Sequence, residues 1–154
     1  MEWGGINLNE GYLRAVDKKD FDLLFKWAND EDVRKNAFST EIITYEIHKK
    51  WFDNILNSDS IFQFIYYYDN ESVGQIRLNT DSNNAYIDYS IDRAYRGQGH
   101  GKRMLLLIED LVRSQFPNIN RLIAQVKDEN IASQKAIESL DYRKIYIEYS
   151  KEIT

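Results

Sequence analysis

The stretch with the most chemical content is Ile91-Asp92-Arg93-Ala94-Tyr95-Arg96-Gly97-Gln98-Gly99-His100-Gly101-Lys102, which runs straight into an apolar amphipathic segment. Glycine destabilises helices and loosens the backbone, so glycines at 97, 99 and 101 are useful where main-chain N–H groups must approach a ligand. Just ahead of a helix, those groups form an N-terminus carrying about +0.5 of an elementary charge and several unpaired donors. Arg96 and Lys102 add full positive charges on either side. Such a stretch can bind an oxyanion or a phosphate. A P-loop would need glycine in place of Arg96 and Ser or Thr in place of Arg103; the dinucleotide fingerprint would need glycine in place of Lys102. Neither fits, and a glycine-rich turn that merely caps a helix is the plain alternative.

The bulk composition narrows the choice of chemistry. At 154 residues, with 43% hydrophobic and 29% charged side chains, the chain suits a single domain over 1–154 with a full core. A net charge of −5 without an evident basic face speaks against nucleic-acid binding. The absence of cysteine removes disulfides, thiolate metal sites and a cysteine nucleophile. With only His48 and His100, a histidine-rich metal site is also out, and no metal is expected. No run reaches membrane-spanning length and Met1–Gly5 lacks a signal pattern, so a soluble cytoplasmic protein away from membranes is the expectation.

The elements that must position the glycine loop follow from periodicity. After a lead-in over 1–11, Tyr12 to Val16 reads as a strand. Asp20 is a candidate N-cap for a helix carrying Phe21, Leu24, Phe25 and Ala28, which ends in the polar turn Asn29–Asp32. A second helix covers Tyr45 to Asn57, with Ile47, Trp51 and Ile55 inward. Ile61–Tyr68 is apolar on both faces apart from Gln63 and reads as a central strand. Val73–Asn79 and Ala85–Ile91 alternate and complete an antiparallel meander. The helix after the glycines presents Met104, Leu107, Ile108, Leu111 and Val112 on one stripe, widened by Leu105 and Leu106, and stops at Pro117. A strand over Arg121–Val126, a helix over Asn130–Leu140 and a last strand over Tyr142–Tyr149 finish the chain. The class is α/β (α+β): a mixed, mostly antiparallel sheet of 6–7 strands with four helices.

Arg96, Gly99 and Gly101 match an Arg/Gln-x-x-Gly-x-Gly/Ala pattern. It resembles the pyrophosphate-binding signature of the GNAT superfamily of acyl-CoA-dependent N-acetyltransferases. Downstream, Glu129-Asn130-Ile131-Ala132-Ser133 and Leu140-Asp141-Tyr142 are similar to a second motif of that family, and the element order is similar along nearly the whole chain. The resemblance implies that acetyl-CoA lies in a V-shaped opening between the fourth and fifth strands. The main chain of Ile91, Asp92 and Arg93 would meet its pantetheine arm. Arg96 and the amides of Gly97, Gln98, Gly99, His100, Gly101 and Lys102 would hold the pyrophosphate, with Asn130, Ser133 and Lys135 on the far side. His100 would contribute its backbone while its imidazole faces water. Asn130 is equally a helix N-cap.

The thioester is already activated, so the implied reaction is direct attack by a primary amine. The amine must first lose a proton to a base. The oxyanion would be held by the amide near Ile91. The family's usual acid is a helix tyrosine seven residues after the asparagine; here that position is Ile137. Asp88, on the polar face of the fourth strand, is the candidate base, and pairing with Arg77 across adjacent strands is its alternative role. The run Trp27, Asn29, Arg34, His48 and Trp51, with Gln75 and Arg77 after it, resembles the branch that acetylates nucleotide-linked amino sugars, as in pseudaminic-acid-type pathways. Aromatics would stack on rings and arginines would hold a diphosphate. The rival acceptors are protein N-termini and small-molecule amines, and a non-catalytic acyl-CoA sensor is a further rival. A homodimer is compatible with all of these.

Overall fold

The computed structural model describes residues 2–3 and 11–153; most of the expected lead-in lies outside the described residues. Its strands are β1 (Glu2–Trp3), β2 (Tyr12–Ala15), β3 (Ile61–Tyr68), β4 (Glu71–Asp81), β5 (Asn84–Ile91) and β6 (Arg121–Ala124). Its helices are α1 (Phe21–Ala28), α2 (Glu31–Asn36), α3 (Tyr45–Leu56), α4 (His100–Gln115) and α5 (Ile131–Glu138). The strands form one sheet in the order β1-β2-β3-β4-β5-β6, antiparallel throughout except for the parallel β5–β6 pair.

Alternation along the strands sorts side chains to two layers. Phe64, Tyr66, Ile76, Leu78 and Ala85 pack with Met104, Leu105, Ile108 and Leu111 of α4. On the other face Ile65 packs with Leu24, Trp27 and Phe52 of α1 and α3. Each such side chain, fully buried, stabilises the fold by about 1.5–3 kcal/mol. The central-strand reading of Ile61–Tyr68 and the meander are both seen.

Four expectations need correction. Among the described residues there are five α-helices, because Asp30 accepts the N–H groups of Asp32 and Val33 and so nucleates α2 from what reads as a polar turn. Tyr142–Tyr149 forms no strand, and the sixth strand is instead the two-residue β1 against β2. Ile47 and Leu106 are exposed, not inward. Asp20 holds the N-cap position of α1, but its carboxylate makes no cap bond there; it meets Arg14 at 2.6 Å and the Asp17 N–H at 2.9 Å. Asp141, standing where glycine is usual in the resembled family, adopts the left-handed conformation (φ +67°) that Asp tolerates. Among the described residues no helix is long and apolar enough to cross a membrane.

Candidate active site

β5 delivers the chain to the glycine loop. Asp92 caps the short turn Arg93–Tyr95, accepting the Ala94 N–H at 2.8 Å. Gly97 and Gly99 then take φ of +77° and +83°, where any other residue is strained. Gly99 is the N-cap of α4, whose first helical bond runs from the Arg103 N–H to the Gly99 carbonyl. The amides just before Arg103 therefore have no acceptor within the helix and point out of its positive end. This glycine cradle at a helix N-terminus is the backbone geometry that the spacing predicts, and such an end attracts anions.

Two side chains of the loop are engaged differently from expectation. Arg96 does not stand free beside the cradle: Nη2 donates to Asp30 at 2.8 Å, Nη1 to Asp32 at 2.9 Å and Nε to the Ile91 carbonyl at 3.0 Å. The His100 imidazole does not face water. It is buried, shares a 3.0 Å hydrogen bond with the Tyr66 hydroxyl and lies edge-on to Tyr68. Burial and then the Arg103 charge lower its pKa. Burial works to raise the Asp30 carboxyl, but the Arg96 bond, the Val33 N–H and the Arg93 and Arg96 charges hold it below its ordinary value.

The opening beside the loop comes from the sheet. β5 pairs with β6 only from Asn84 to Ile87, whereas it pairs with β4 as far as Ile91. Asp88–Ile91 thus has one open edge. The Asp92 N–H donates to Val73 on the β4 side, so ladder alternation turns the Tyr89 and Ile91 main-chain groups toward the gap. Across it, Asn130 caps α5 by accepting the Ser133 N–H at 3.3 Å, and the Ser133 hydroxyl meets the Tyr89 hydroxyl at 2.8 Å. Ile137 is buried in the core.

Gap, cradle and acceptor side form one cavity of about 1030 Å³. Of the expected donor-site residues, Ile91, Arg96, Gly97, Gly99, His100, Gly101, Lys102, Asn130, Ser133 and Lys135 line it; Asp92, Arg93 and Gln98 do not. Of the expected acceptor residues, Trp27, Arg34, His48, Trp51, Gln75, Arg77 and Asp88 line it and Asn29 does not. Asn29 holds the chain after α2, donating to the Ile43 carbonyl and accepting the Ile43 N–H, both at 2.8 Å. Arg34 serves the same segment through the carbonyls of Ala28, Ser39 and Glu41. Trp27 is buried and donates Nε1–H to Asp92 at 2.7 Å.

His48 is buried among Phe21, Phe25, Trp51 and Phe52. Its Nε2 lies 3.0 Å from the Phe21 carbonyl and must carry the proton, since a carbonyl only accepts. Burial lowers its pKa against the pull of that bond. Asp88 lies 3.7 Å from Arg77, its cross-strand neighbour, so the pairing role is present alongside the candidate catalytic one. Arg77 also lies 5.7 Å from the centre of the Trp51 ring. Gln75, itself held by Gln63 at 2.7 Å, donates to Ser90 at 3.1 Å. Phe38, on the link after α2 where the acceptor pocket is expected, lines the cavity too, and Ile47 and Tyr89 line it without having been expected there. For Tyr89 a phenol on the apolar side of an alternating strand was the available signal. Among the described residues no cluster of three or more His, Asp or Glu side chains could hold a metal ion.

Comparison with known proteins bears on this geometry. A family model described as an acetyltransferase (GNAT) domain matches residues 12–143. No curated protein matches the chain in sequence. The fold is similar to that of the ribosomal L7/L12 alpha-N-protein acetyltransferase RimL in complex with coenzyme A, at 20% identity and a TM-score of 0.75, over 90% of this chain and 82% of that one. It is also similar to the aminoglycoside acetyltransferase AAC(6')-Ib in complex with coenzyme A, at 14% identity and 0.75, over 88% and 85% of the two chains. The spermidine N-acetyltransferase from Vibrio cholerae, in complex with CoA and spermine, matches at 14% and 0.75, over 84% and 79%. At such identities the likeness is one of fold, and these three proteins are named for three different acceptors.

Proposed function

Because the chain belongs to the GNAT acetyltransferase family, with acetyl-CoA as its co-substrate, we propose that its acceptor is the amine of a nucleotide-linked amino sugar. The observation that carries this reading is Arg77 set over the Trp51 ring, inside the cavity that continues from the cradle. A flat aromatic surface beside a guanidinium suits a base or sugar ring followed by a diphosphate. On the acceptor side Arg34 and Arg77 stand against Asp88, while Asp32, which also lines the cavity, is already paired with Arg96 at 2.9 Å; that balance suits an anionic acceptor better than a polyamine.

In this reading the amides at the α4 N-terminus hold the pyrophosphate, and the open edge of β5 receives the pantetheine arm. The acceptor amine, protonated at neutral pH, loses a proton to Asp88 through water and attacks the thioester carbonyl. The Ile91 N–H, directed into the gap, stabilises the oxyanion. Thiol release from acetyl-CoA, measured with UDP-linked amino sugars, spermidine and peptides, tests the acceptor. The nucleotide sugar should give the highest kcat/KM; preference for spermidine or a peptide overturns the choice. Release with none of them, while acetyl-CoA still binds, would favour a sensor.

The assembly we propose is a homodimer. The outer edge of β6 has no partner strand among the described residues. The segment beyond Tyr142 of the same chain exposes Ile145, Tyr146, Ile147 and Tyr149 and forms no strand of its own. A second copy brings each of these to the other.

A further inference from the structure

A thiolate leaving a tetrahedral intermediate departs more readily with an O–H or N–H donor beside it. The helix position at which the family resemblance places a tyrosine holds Ile137, whose side chain is in the core and has no proton to give. The same gap has a phenol on its opposite wall. Tyr89 belongs to the part of β5 that β6 leaves open, and its side chain crosses to α5, where its hydroxyl meets Ser133 at 2.8 Å. Ser133 is one helical turn before Ile137 and lies on the expected donor path. The Tyr89 ring also flanks the first turn of α4: a Cβ placed on Gly101 would lie 3.7 Å from it. The phenol is therefore fixed between the cradle and α5, within the cavity. Of the cavity's other hydroxyls, Ser90 lies on the face of β5 opposite to Tyr89, where it accepts from Gln75, and Ser39 stands on the link after α2. Tyr95 lies edge-on to His100, beside the loop.

We propose that Tyr89 is the catalytic acid, giving its hydroxyl proton to the coenzyme A sulfur as the carbon–sulfur bond breaks. The amine nitrogen forms the new bond to the carbonyl carbon, and the electron pair of the breaking bond goes to sulfur. Sulfur takes the Tyr89 proton, and the phenolate regains one from solvent through the Ser133 hydroxyl. The proton that the nitrogen sheds on becoming an amide balances the proton gained by the thiol, and the one removed from the ammonium before attack passes through Asp88 to solvent. Burial raises the Tyr89 phenol above its ordinary value against the opposing Ser133 bond, so it stays protonated at neutral pH, as an acid must. Burial raises a thiol in the same site too, so donor and acceptor shift in the same direction.

The proposal rests on the acetyl-transfer reading but not on the choice of acceptor. The assay uses whichever amine of the panel wild type turns over, or the slow hydrolysis of acetyl-CoA if none serves. Tyr89→Phe keeps the ring and removes the proton. It should lower kcat by about 10²-fold while acetyl-CoA affinity by calorimetry stays within about threefold, a difference below 1 kcal/mol. Adding Ile137→Tyr should restore much of the lost turnover, which a merely structural clamp would not do. Replacing Tyr89 by 3,5-difluorotyrosine keeps the hydroxyl and the packing but acidifies it, and should move the alkaline limb of kcat to lower pH. A Y89F enzyme with kcat within about threefold of wild type overturns the proposal. So does a loss of turnover that only parallels lost acetyl-CoA affinity without rescue by I137Y, or an alkaline limb that difluorotyrosine leaves in place.

Discussion

Asp88 illustrates how one carboxylate can serve two roles. Its pairing with Arg77 at 3.7 Å leaves the side chain 57% exposed to the cavity, so the ion pair is loose and contributes little to stability. The same exposure leaves room for a water between it and an incoming amine. Asp88→Asn should therefore lower kcat by about 10²-fold with acetyl-CoA affinity intact; unchanged turnover between about pH 6 and 9 removes Asp88 from the mechanism. Gly99 offers a complementary test of the donor side. A side chain at φ +83° costs about 1–2 kcal/mol, and Gly99→Ala should weaken acetyl-CoA binding by about tenfold. Calorimetry that finds no change would separate the cradle from the donor. The glycines were legible because their need is local: a backbone angle and a helix start. His100 and Asn29 were not, because Tyr66 and Ile43, which settle their roles, stand 34 and 14 positions away.

The decisive element is the α1–α2 junction. Read as a polar turn, it is where the acceptor and donor halves of the cavity are tied together. Trp27 donates to Asp92, Asp30 caps α2 and meets Arg96 and Arg93, and Asn29 holds Ile43 from both sides. Long helices and strands announce themselves by period, and α4 and β4 were read that way. α2 has only six residues and no apolar stripe, so its start shows in the sequence only through Asp30, its N-cap. Asn29→Ala removes both bonds to Ile43, at a cost of about 1–3 kcal/mol for the group left unpaired. The segment from Ala37 to Ile43 should loosen. The acceptor KM should rise several-fold while acetyl-CoA affinity stays, because the cradle has its own supports. Equal losses for both substrates would show that the two halves fold as one unit.

Two properties belong to the molecule as a whole. The first is its response to acid. His48 and His100 both have pKa values lowered chiefly by burial, whereas in the unfolded chain they titrate near 6.5. Between the folded value and 6.5 the unfolded state holds more protons. Stability should therefore fall as pH drops through that window, by up to about 1.4 kcal/mol per pH unit for each histidine. Tm should be level above about pH 7 and decline below about pH 6.5, less steeply in His48→Gln; a Tm unchanged down to about pH 5 would contradict the burial of both rings. The second property is assembly. Exposed strand edges are normally shortened, charged or covered, yet β6 ends the sheet with no further strand among the described residues, and the segment from Ile145 to Tyr149 exposes four large side chains, Ile145, Tyr146, Ile147 and Tyr149, with exposed Ile153 beyond. Two surfaces of this kind on one chain are satisfied when two copies exchange them, and symmetry then makes each contact twice. Sedimentation equilibrium should show a dimer that a chain shortened after Tyr142 cannot form, and the shortened chain should still bind acetyl-CoA, since the cradle lies on α4. A full chain that stays monomeric at every concentration would leave the tail to its own subunit and end the dimer proposal.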